Sequence, residues 1–120
     1  MNFTKLKVWQ KAHDLSVQIY EITEEFPGKE NYRLVDQLCR ASSSITANIA
    51  EGSGRRTIDE YIHFISNSRG SVEETINHII LAKDLDYLTE EEAKNLIEGY
   101  KEVGKMLNGL INSLEEKKSN

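Results

Sequence analysis

Proline, cysteine and basic charge are all scarce in this 120-residue chain, and each shortage removes a class of protein. The one proline, Pro27, leaves the rest of the chain free to form long helices. The one cysteine, Cys39, excludes an intrachain disulfide. It sits among Leu34, Val35, Leu38 and Ala41, where a small buried apolar side chain is expected. A catalytic thiol would want a histidine beside it and a loop or helix N-terminus around it. No apolar run is long enough to span a bilayer and no basic, apolar leader precedes the first helix pattern, so a cytoplasmic protein with no membrane partner is expected. Fifteen Lys and Arg face twenty Asp and Glu, a net charge of -5. That argues against general electrostatic capture of nucleic acid and leaves room only for a local basic patch.

What is present is helical periodicity. Val8, Ala12, Leu15, Ile19, Ile22 and Phe26 recur in steps of four and three, one stripe on one helix. Pro27-Gly28 ends it. A second helix is expected from about Glu30 to Gly52, with Leu34, Leu38, Ala41, Ile45 and Asn48 on its inner stripe. Thr57 and Glu60 fit a capping box that opens a third helix carrying Ile58, Ile62, Ile65, Val72, Ile76 and Ile79. Thr89 and Glu92 fit another, with Leu88 and Ala93 as a hydrophobic staple. The fourth helix then carries Ala93, Leu96, Tyr100, Val103, Leu107, Leu110 and Leu114. The connections are short, so the expected fold is all-α, an antiparallel up-down-up-down four-helix bundle forming a single domain over 1–120.

The run from Arg40 to Arg56 is unusual for a core helix, because its side chains are small and some are polar. Ala41, Ser44, Ala47 and Ala50 are expected to admit a neighbouring helix closely, with Gly70 as the counterpart. A kink near Gly70-Ser71 is the rival account of that glycine. Asn48 on the inner stripe calls for hydrogen-bond partners, and Arg40, Glu51, Ser71 and Glu74 are the candidates for a buried polar network.

Catalytic patterns are missing. His13 falls on the first helix and His63 and His78 on the third, fifteen residues apart and without ligand spacing, so no metal is expected. The paired and tripled glutamates point around their helices, and the two Glu-x-x-His motifs of the di-iron type do not both occur. The glycines from Glu51 to Arg56 lack the phosphate-loop pattern and read as a helix stop. Neither a cofactor nor a small-molecule substrate is expected. For a basic site, Arg55 and Arg56 at the second turn come first, with Arg40 and Arg69 behind them. Ion pairing is the competing use, since Glu51 and Arg55, Arg56 and Glu60, and Arg69 and Glu73 are all four apart. Trp9, Phe3 and Tyr20 read as anchors in an apolar groove rather than as base-stacking platforms.

The chain resembles bacterial four-helix bundle proteins that include those encoded in intervening sequences of 23S ribosomal RNA genes. The resemblance rests on the stretch from Leu6 to Ala12, then Tyr20, Phe26-Pro27, Glu30, Leu34, Gln37, Arg40-Ala41, Ser44-Ile45, the stretch from Asn48 to Gly52, and Arg56. Gly70-Ser71 with Glu74 continues it, so nearly the whole chain is covered. That family is similar in fold to the accessory variability proteins of diversity-generating retroelements, which bind nucleic acid and a reverse transcriptase. The resemblance implies a homopentamer with a central opening, no enzyme activity, and association with RNA or an RNA-associated protein. The alternative reading is a protein-interaction scaffold that binds no nucleic acid.

Overall fold

A computed structural model of the chain describes residues 2–119. Four helices carry the fold: α1 Lys7–Thr23, α2 Leu34–Ser53, α3 Ile58–Asp84 and α4 Glu90–Ser119. Each packs on its two neighbours around a ring, α1 on α2 and α4, and α3 on α2 and α4, while the backbones of the diagonal pairs stay apart. Cross-helix contacts run in opposite senses. Leu15 meets Gly99 where Lys11 meets Glu102, and Ser44 meets Ser71 where Gly52 meets Phe64. The molecule is therefore the expected antiparallel bundle, and it measures 51 × 23 × 20 Å.

The apolar stripes face inward as their spacing requires. Ala12, Ile19, Leu38, Ile45, Ile49, Ile65, Ile79, Tyr100, Val103 and Leu107 have no solvent exposure. The caps form where threonine precedes each stripe. The Thr57 hydroxyl accepts from the Glu60 amide at 3.1 Å, and the reciprocal pair at Thr89 and Glu92 closes at 3.0 and 2.8 Å. Leu88 and Ala93 are both buried, as a staple requires.

Two expectations about the small-residue helix are corrected. The face of α2 packed inward carries Ala41, Ser42, Ile45, Ile49 and Gly52, whereas Ala47 is exposed and Ser44 and Ala50 are half-buried. Positions three apart drift by about 60° per step around an α-helix, so Ala41, Ser44 and Ala47 wind away from one another. The close partners are not at Gly70. A side chain there would meet nothing within 4 Å, and α3 runs through it unbroken, so neither a tight contact nor a break accounts for it. The close approach is instead made by Gly52 against Phe64 and Tyr61, and by the Ser68 hydroxyl, which donates to the Ile45 carbonyl at 2.7 Å.

The second helix starts at Leu34 rather than near Glu30, because Glu30 turns inward. Its carboxylate is 3% exposed and receives Arg33 Nε and Nη2 at 2.9 and 2.8 Å and the Tyr87 hydroxyl at 2.7 Å. This clamp joins the first connection to the third across one end of the bundle. The Arg33 guanidinium and then the Tyr87 hydroxyl hold the Glu30 carboxyl down from 4.5 to about 2, against the effect of burial. A depressed carboxyl stabilises the fold in its charged form. That contribution is complete above the ordinary carboxylate range and is lost as pH falls from about 4.5 to about 2. Glu30→Gln should therefore flatten acid destabilisation across that window, read from urea melts stepped through it. Parallel acid profiles for variant and wild type would contradict the clamp.

Candidate nucleic-acid interface

The four arginines singled out in the sequence do not converge. Arg40 is 79% exposed and held by Asp36, with Nε 3.1 Å from its carboxylate. Arg55 pairs with Glu51 at 3.2 Å and lays its guanidinium 4.6 Å from the centre of the Phe64 ring. Arg56 is exposed beside it and has no ion-pair partner among the described residues. The Arg56 and Glu60 pair does not form, since α3 starts at Ile58 and the four-residue spacing has no helical meaning before it. Arg69 turns away from Glu73 and donates to Asn108 Oδ1 on α4 at 2.7 Å.

That contact leads to a seam the sequence reading missed. Between α3 and α4 runs an open groove lined by Arg69, Val72, Glu73, Lys101, Gly104, Lys105 and Asn108, with a volume of about 490 Å³. A second hollow continues from Lys101 past Lys94 and Ile97 to Lys83, with Glu90 and Glu98 on its walls. Five cations and three carboxylates thus line the seam of a chain whose net charge is -5. The available signal was Lys94, Lys101 and Lys105, spaced seven and four, which puts them on one face of one helix. Nothing in the linear pattern tied that face to Arg69, thirty-odd residues earlier.

The five-residue polar network is reduced to a smaller one. Asn48 donates to the Ser44 carbonyl at 2.8 Å and to its hydroxyl at 3.1 Å, and the Ser44 and Ser71 hydroxyls lie 2.8 Å apart. Asn48 and Ser71 are thereby joined through Ser44. Arg40 and Glu51 point outward into their own ion pairs, and Glu74, 56% exposed, lies 3.3 Å from His78 Nε2. The rotation that exposes Ala47 also carries Arg40 and Glu51 off the inner face.

Residues 4–109 match the family described as 23S rRNA-intervening sequence protein. The chain belongs to that family. A solved structure, described as a protein with unknown function from the S23 ribosomal protein family of Bacteroides thetaiotaomicron, superposes with a TM-score of 0.78 at 22% identity. The match covers 87% of this chain and 97% of that one, and the likeness is one of fold. No curated protein matches.

In this member of the intervening-sequence family two exposed histidines rest against aromatic rings. His13 stacks on Trp9 with centroids 4.7 Å apart, and His63 packs edge-on to Phe64. Burial pushes the Cys39 thiol up, and its sulfur lies 3.7 Å from the Thr23 hydroxyl. Among the described residues no group of three or more His, Cys, Asp and Glu is arranged to hold a metal, and no helix is long and apolar enough to cross a membrane.

Proposed function

We propose that this protein is a non-catalytic, cytoplasmic accessory bundle that works as a cyclic homopentamer associated with RNA. The observation that carries the RNA reading is the state of its cations. Six of the fifteen lie within ion-pair distance of a carboxylate: Lys11, Arg33, Arg40, Arg55, Lys83 and Lys118. The other nine have no such partner among the described residues, on a chain with carboxylates in excess. Membership of a family described by ribosomal RNA intervening sequences supports the same reading. The non-catalytic reading is supported by a thiol whose burial favours its protonated, unreactive form.

The ring is supported by two separate apolar patches. Val17 and Tyr20 on α1 are 44% and 50% exposed, and Ile80, Leu81 and Leu85 at the end of α3 are 42%, 45% and 44% exposed. Exposed apolar patches mark interfaces. These two lie on diagonally opposed helices, so one patch can join the other on the next copy head to tail, an arrangement that makes a ring when the rotation between copies closes.

A salt-dependent RNA titration combined with light scattering behind a sizing column tests both halves. The expected mass is near five protomers, with RNA affinity that falls steeply as salt rises. A monomer across the micromolar range would end the ring. Absence of RNA affinity at low salt would end the RNA reading and favour the protein-scaffold alternative.

A further inference from the structure

We infer that the α3–α4 seam is a phosphate track that neutralises the RNA backbone without reading bases, an inference that rests on the RNA reading above. Lys101 and Lys105 stand one helical turn apart on α4, and neither reaches a carboxylate within ion-pair distance among the described residues. Like charges at that spacing repel, so the isolated chain holds them at a cost that an anion would remove. Arg69 faces them from α3. Its bond to Asn108 uses one of the guanidinium N–H groups and fixes the fork at the groove, leaving the other donors for a second acceptor. Gly104 lies between the two lysines, and a side chain there would stand 3.9 Å from Val72 on the groove floor. Lys94 extends the stripe, and Lys94 to Lys105 covers about 16 Å of helix.

The same lining sets the limit of recognition. No aromatic side chain lines either part of the seam. Sequence-tolerant stacking needs aromatic faces, and base readout needs side chains that reach base edges. Contact with phosphate alone positions a strand and leaves its sequence unread. The seam therefore binds RNA of any sequence, whereas at the turn Arg55 is engaged by Glu51 and Phe64 and leaves Arg56 a lone cation.

The test uses the full chain and fluorescein-labelled single-stranded uridine and adenosine 20-mers, followed by anisotropy across a salt series. Lys101→Glu with Lys105→Glu should weaken binding at low salt by at least about tenfold. It should also reduce the slope of log K against log salt by about 1.4, the loss of two single-strand phosphate contacts. Arg55→Glu with Arg56→Glu should bind within about threefold of wild type, since those contacts lie off the track. The two oligomers should bind alike. Both lysines are exposed, so circular dichroism melts and mass should match wild type, which separates lost binding from lost folding. If wild type binds and the lysine variant binds equally, the seam is wrong and the RNA reading stands. If only the arginine variant loses binding, the track is at the turn and the proposal is overturned. If wild type binds neither oligomer, the underlying reading fails and takes the seam with it. Poly-glutamate of matched charge should compete poorly; if it binds through the lysines as tightly as RNA, the seam serves an acidic protein instead.

Discussion

Gly52→Val is expected to destabilise the bundle by about 3 kcal/mol, at the upper end of ordinary overpacking. The first carbon of any side chain at that position would stand 2.8 Å from Phe64 Cβ, 3.1 Å from Tyr61 Cδ1 and 3.3 Å from the Tyr61 carbonyl oxygen. Two of those atoms belong to or adjoin the α3 backbone, so the contact is relieved only by separating α2 from α3. That separation would strain the Ser68 bond to Ile45 and the contact of Ser44 with Ser71. Gly70→Ala is the opposite case. It lies mid-helix with open space around it, so a methyl group should stabilise by about 0.5–1 kcal/mol through helix propensity and a less flexible unfolded chain. Urea melts at one protomer concentration measure both, with unchanged slopes as the sign of a true stability change. Equal melting of Gly52→Val and wild type would mean that α2 and α3 do not approach as described.

Removing either apolar patch is expected to reduce the assembly to monomers, and mixing the two lesions should restore dimers only. Val17→Glu with Tyr20→Glu destroys the α1 patch and leaves the α3 patch whole, and Ile80→Glu with Leu81→Glu does the reverse. In a head-to-tail ring each variant alone lacks one half of every interface. An equimolar mixture can build one good interface, α1 of the second variant against α3 of the first, and then stops. Light scattering should read one protomer for each variant and two for the mixture. An interface that pairs like patches would behave differently, because one variant would still associate with itself. Self-association of either variant, or no dimers on mixing, would refute head-to-tail closure.

Much of the architecture was legible because it depends on local spacing. A stripe in steps of three and four has one helical face whatever surrounds it. Threonine before such a stripe with glutamate three residues later has its cap partner within reach, and Pro27-Gly28 ends a helix without help from elsewhere. The pair of Glu51 and Arg55 was legible from nearness in sequence, since α2 ends at Ser53 and Arg55 follows just past it.

Tertiary structure decided whatever depends on how one helix is rotated against another. Asn48 and Ser71 meet through Ser44 because α2 and α3 turn those faces together, and Arg40 and Glu51 do not because the same rotation turns them out. The reason for Gly52 appears only when Phe64 is brought across from α3, and Gly70, the more conspicuous glycine in the sequence, faces open space. Glu30 would be an ordinary surface carboxylate in a helical register, but Tyr87, in the connection between α3 and α4, draws it inside. Arg69 and the lysines of α4 form one groove only after two helices pack antiparallel. Spacing along a chain specifies which residues share a face. Which faces meet is settled by packing the whole bundle at once, because each helix turns to bury its widest apolar stripe and carries its polar side chains with it.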